Sequence, residues 1–100
     1  MVFTQIDVSE LAPPAPMAVI LSALAELVNN SSADKHCLVV RHRRQPFPLY
    51  EKLNATGWAY HCQIRTNDDI LLYIYRQTAQ QAFEHYLANS LLPNTVGTNE

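Results

Sequence analysis

A chain of 100 residues with 48% hydrophobic and 16% charged side chains has material for one core and no second domain. That balance excludes a disordered chain, which needs low hydrophobicity and high net charge. A net charge of −2 excludes a generally basic, nucleic-acid-coating surface. All seven Lys and Arg residues stand at or after Lys35, so any anion site is expected to be local.

Phe3 to Val8 alternates apolar with polar residues and predicts a first strand. The proline run Ala12 to Pro16 stops it, because proline cannot continue a ladder. From Met17, the residues Ile20, Leu21, Leu24, Leu27 and Val28 recur at three- and four-residue spacing, one face of a helix with Pro16 suited to its first turn. Asn29 to Ser32 is expected to end it. The continuous apolar run Cys37 to Val40 predicts an interior strand covered on both faces.

Pro48 starts a second helix over Phe47 to Thr56, and Gly57 takes its left-handed end. Trp58 to Arg65 and Ile70 to Tyr75, joined across Thr66 to Asp69, predict an antiparallel hairpin. A last helix is expected at about 79–92, closing a single domain over 1–92, with a flexible tail at 93–100. The predicted architecture is α+β, a two-layer sandwich of β-α-β-α-β-β order with a four-stranded mixed sheet and a C-terminal helix. Strands one and two are expected to be parallel through a right-handed crossover. The first two helices cover one face. The other exposes Leu71, Tyr73 and Tyr75 beside His61, Gln63 and Arg65, and needs a cover from the terminal helix or from a second copy.

Strand, Pro14-Ala15-Pro16, helix is echoed by strand, Pro46-Phe47-Pro48, helix. Parallel strands put both Pro-x-Pro steps at one edge of the sheet, where helix N-termini are expected to present unpaired N–H groups. The same edge receives Arg41, His42, Arg43 and Arg44. Those arginines either bind an anion or pair with Glu51, Asp7 or Glu10.

No metal site is expected, because His42 has no second ligand at metal spacing and His36, His61 and His85 are scattered. Cys37 and Cys62 lack zinc or redox spacing and read as buried reduced thiols. Two glycines rule out a phosphate-cradling Gly-rich loop. No Ser/His/Asp order stands out, so no catalytic residue and no cofactor is expected. The start of the chain shows no signal peptide. Met17 to Val28, the longest apolar stretch, is too short for a bilayer, so the expected location is the cytoplasm, without membrane contact.

A strand containing Asp7, then Leu11 through Pro14-Ala15-Pro16-Met17 into an apolar helix, resembles the TusA/SirA-like family of small sulfur-carrier proteins. The segment His42 to Tyr50, followed by Leu53 and Gly57, looks like a bacterial branch of that family. The resemblance runs from about Phe3 to Arg76 and implies the two-layer fold and a ligand-facing edge. The carriers hold a cysteine immediately before their Pro-x-Pro, where a helix N-terminus stabilises a thiolate. Pro13 stands at that position here, so the persulfide reaction does not transfer.

These readings together predict a binding or accessory module that presents Pro14, Pro16, Arg41, His42, Arg43, Arg44, Pro48 and Tyr50 to an anionic small molecule or a partner protein. Nucleic acid is not an expected partner: the tyrosines of the open face read as packing residues, not stacking platforms. Two alternatives stand beside this reading. One is a divergent sulfur carrier that uses Cys62 or Cys37. The other is an oligomeric protein, a homodimer through the sheet face.

Overall fold

The computed structural model describes residues 1–29 and 33–91. Strand β1 (Val2–Asp7) leads to helix α1 (Ala15–Asn29), β2 (His36–His42), α2 (Phe47–Ala55), β3 (Trp58–Thr66) and β4 (Asp69–Arg76). A 3-10 turn (Gln77–Ala79), helix α3 (Gln80–Tyr86) and one π-helical turn (Leu87–Leu91) follow. The expected turn at 30–32, the last residue of the expected terminal helix and the expected tail lie outside the described residues.

The sheet has the order β1-β2-β4-β3. Strands β1 and β2 are parallel, with Asp7 beside Arg41. Both β2 and β3 run antiparallel to β4. The continuous apolar runs occupy the two interior strands, as burial on both faces requires.

Strand alternation divides the molecule into two cores. On one face Leu38, Val40, Leu72 and Ile74 meet Ile20 and Leu24 of α1 and Leu49 and Leu53 of α2. On the other, Cys37, Val39, Tyr73 and Tyr75 close around Phe83 of α3. The terminal helix therefore supplies the cover the tyrosine face needs: Tyr75 stacks on Phe83 at 4.2 Å between ring centroids, and Phe3 meets Tyr86 at 4.4 Å. A dimer through that face would have to displace α3.

One apolar expectation is corrected. Leu21 and Val28 are exposed, because α1 seats Pro16, Ile20 and Leu24 on the sheet with Ala23 and Leu27 beside them. Met17, Ile20, Leu24 and Leu27 keep their predicted side, and Pro16 and Ala23 take the places of Leu21 and Val28. Ile64 has core parity but is 65% exposed, because it lies near the far end of an edge strand, beyond the packed cluster.

The α2–β3 corner is closed by a clamp. Gly57 takes φ +86°, a conformation that a side chain disfavours. The Arg76 guanidinium sits 4.7 Å over the Trp58 ring and donates to the Thr56 carbonyl at 3.1 Å. A Cβ at Gly57 would come within 2.8 Å of that guanidinium.

Candidate functional site

The β1-α1-β2 crossover between parallel strands brings both Pro-x-Pro segments to one end of the sheet. Between them lies a groove of about 540 Å³. Five of the chain's six prolines, Pro13, Pro14, Pro16, Pro46 and Pro48, line it. Leu11, Ala12 and Met17 complete the apolar part, and His42, Arg43, Arg44 and Gln45 supply the polar part. Proline has a fixed φ and no N–H, so these walls are apolar and conformationally stiff. A volume of this size is ordinary for a small organic ligand, about 300–1,000 Å³.

Strand parity decides which basic residues reach the groove. Leu38, Val40 and His42 share the face of α1 and α2, while Cys37, Val39 and Arg41 share the face of α3. Arg41 therefore points away from the groove, which corrects its expected place. It meets Asp7 at 3.6 Å and Asp69 at 3.1 Å, and Asp69 also meets Arg65 at 3.3 Å. Asp7 was one of the expected acids; Asp69, from the hairpin turn, was not. Ser9 donates through its hydroxyl and backbone N–H to Asp7, and these bonds hold that carboxyl below its ordinary range, with a smaller contribution from Arg41. These pairs are exposed and contribute little stability.

Arg43 and Arg44 are exposed, and no carboxylate among the described residues stands within ion-pair distance of either. The Arg44 backbone N–H donates to His42 Nδ1 at 3.3 Å. That bond requires Nδ1 to be unprotonated, so the neutral ring carries its proton on Nε2 and remains a donor. Burial lowers the pKa of His42 further.

The helix N-termini do not supply the donors expected of them. In α2 the N–H groups of Phe47, Leu49 and Tyr50 bond to the carbonyls of Gln45 and Pro46, and Pro48 has none. In α1, Ala15 bonds to Ala12 and Ala18 to Pro14, and Pro16 has none. Prolines remove part of the orphan set and the loop carbonyls take most of the rest. Apart from the Met17 N–H, which donates to none of these carbonyls, the anion-directed groups of the groove are therefore side chains.

Tyr50 is also displaced from its expected role. Its ring is buried and stacked on Tyr60 at 3.9 Å, and its hydroxyl donates to Gln45 Oε1 at 3.1 Å. It positions a groove residue and does not line the groove. Leu11 and Ala12 line it without having been expected there, since a short apolar residue before a proline run carries no distinct signal.

The thiols lie on opposite faces of the sheet, Cys37 in the α3 core and Cys62 beside the α1/α2 core, and both are free. Burial pushes Cys37 up to about 12. Cys62 is half-buried, which corrects its expected full burial, and desolvation raises it despite an opposing interaction with the Tyr50 hydroxyl. Neither has the exposed, electropositive setting of a reactive thiolate. Iodoacetamide at pH 8 is expected to leave Cys37 untouched until the chain unfolds, since a pKa near 12 leaves a thiolate fraction of about 10⁻⁴. Cys62 is expected to react more slowly than free cysteine. A mass-spectrometric time course checks both, and rapid modification of either in the folded protein would restore the carrier reading.

Among the described residues, no three His, Cys, Asp or Glu side chains could hold a metal ion, and no helix is long and apolar enough to cross a membrane. A scan of protein-family models, a search of curated proteins and a search of solved structures each found no match to this chain.

Proposed function

We propose that this chain is a small, non-catalytic binding module of the cytoplasm that takes an amphiphilic anion into the proline-lined groove. The apolar body lies against Leu11, Met17 and the prolines, and the anionic head meets Arg43 and Arg44, with His42 Nε2–H as a further donor. A small-molecule anion or an acidic segment of a partner protein would present the same chemistry. One observation carries the reading: two arginines without a carboxylate partner stand at the rim of a stiff apolar groove of ligand size.

The β-α-β-α-β-β order and the two Pro-x-Pro helix starts at one end of the sheet support a TusA/SirA-like origin, in a bacterial branch with Pro13 in place of the carrier cysteine. Two thiols on opposite sheet faces, unable to bridge within the chain, fit a reducing compartment.

The probe for the test is 8-anilinonaphthalene-1-sulfonate, an apolar ring system with one sulfonate. Titrated by fluorescence, it is expected to bind the native protein and to lose about 10- to 100-fold in affinity in the Arg43→Ala/Arg44→Ala double variant. That range follows from the net loss of one hydrogen bond to a charged group at about 1.5–3 kcal/mol. Both arginines are exposed, so the urea midpoint is expected to stay put. Equal affinity in the two proteins would refute the anion-binding reading.

A further inference from the structure

The two edges of the sheet are not alike. Strand β3 carries a pairing irregularity between Ile64 and Thr66, with Arg65 inside it, and a bulge and a cation both discourage edge-to-edge pairing. Strand β1 carries neither. Its register with β2 is unbroken from Val2 to Asp7, it holds no proline, Lys or Arg, and Val2, Thr4, Gln5 and Asp7 are exposed. Among the described residues β1 is hydrogen-bonded on one side only, so its other side presents a row of backbone donors and acceptors.

We propose that β1 is an interaction edge and that its partner is β1 of a second copy, joined antiparallel about a two-fold axis through Thr4 to make one eight-stranded sheet. The register follows from strand parity. In such a pair, facing residues point to the same side of the sheet, so even positions meet even and odd meet odd. Ile6 packs with the α1/α2 core, so Val2, Thr4 and Ile6 share that side; Phe3 packs with the α3 core, so Phe3 and Gln5 share the other.

An axis on Thr4 sets Val2 against Ile6, Phe3 against Gln5 and Thr4 against its own copy. These are an aliphatic pair, a mixed pair and a threonine pair of the kind that stabilises adjacent strands. Met1 and Val2, 40% and 55% exposed, are covered in this arrangement, and the strand's one charge, Asp7, faces Met1 and no like charge. An axis on Gln5 would instead set Asp7 against Phe3. One strand pair buries less than the roughly 1,200 Å² of a standard interface, so the dimer forms and dissociates with concentration.

The axis makes Thr4 its own neighbour, and that gives the test. Sedimentation of the wild-type chain from about 10 μM to about 1 mM is expected to show the mass rising from 11.3 kDa toward twice that value. Thr4→Lys and Thr4→Glu each place like charges on the axis and are expected to remain monomeric. An equimolar mixture of the two is expected to recover the dimer, and Thr4→Val to associate like wild type. Circular dichroism confirms that each variant is folded. A wild type that stays monomeric to about 1 mM overturns the proposal. So does association that survives Thr4→Lys, which would put the contact on another surface.

Discussion

Phe83→Ala is expected to lower the unfolding free energy by about 3–4 kcal/mol, within the range for deleting a buried phenyl ring and a large part of the total for a domain of this size. Phe83 is 1% exposed and is the one residue of α3 in the buried cluster of the second core. Its ring stacks on Tyr75 and lies 5.6 Å from Tyr73, 5.9 Å from His61 and 6.1 Å from Tyr86. A seven-residue helix has almost no stability of its own. Without this anchor α3 is expected to undock, exposing Tyr73, Tyr75 and the Cys37 thiol.

Two readouts separate undocking from a simple cavity. The dependence of free energy on urea falls in the variant, because less surface remains to be exposed. Iodoacetamide, excluded from Cys37 in the wild type, reaches it. Phe83→Leu is expected to cost less than half as much and to keep Cys37 protected. If Phe83→Ala costs under about 1 kcal/mol with Cys37 still protected, α3 does not hold this face closed.

The fold was legible where periodicity was strong. The apolar run Cys37 to Val40 placed an interior strand correctly, and the alternation of Trp58 to Arg65 placed a strand without showing that it is an edge. Pro48 and Gly57 marked the two ends of α2. The insertion of β4 between β2 and β3 was not foreseen, although Ile70 to Tyr75 has the continuous apolar character of an interior strand. One margin of the α1 face was misjudged because Leu21 and Val28 are as apolar as Ile20 and Leu24, so composition could not set the limits of the buried stripe.

The groove was legible in outline: two Pro-x-Pro steps beside parallel strands must share one end of the sheet. Its composition was half legible. Counting alternate residues from Leu38 and Val40 sends His42 toward the helices and Arg41 away, a distinction already present in the sequence but hidden when Arg41 to Arg44 is read as one cluster. The occupied N–H groups at the helix starts were beyond sequence reasoning, because they depend on where the loop carbonyls turn. Tyr50 could not be placed either, since its ring and its hydroxyl serve different neighbours.

Stability is expected to fall steeply as pH rises above 9, and Cys37 is the main single cause. Its folded value is raised from 9.0 to about 12 by burial, so above pH 9 the unfolded chain releases a proton that the folded chain keeps. A raised folded value contributes in full below the unfolded value and is lost as pH climbs through the folded one. The loss from this thiol is about 1.4 kcal/mol per pH unit between 9 and 12, roughly 4 kcal/mol in all. Burial raises Tyr50, Tyr73 and Tyr75 as well, which steepens the fall above about pH 10.

Cys37→Ala isolates the thiol's share. The variant is expected to be about 1–2 kcal/mol less stable than wild type at pH 7, from the lost packing of one buried sulfur. Its slope above pH 9 is expected to be shallower by one proton. Near pH 11 the wild type has lost nearly 3 kcal/mol that the variant never held, so the two stability curves must cross between neutral pH and that point. Urea midpoints from pH 7 to 11 locate the crossing. Parallel curves would mean that the thiol titrates alike in both states and that the core over Cys37 admits water.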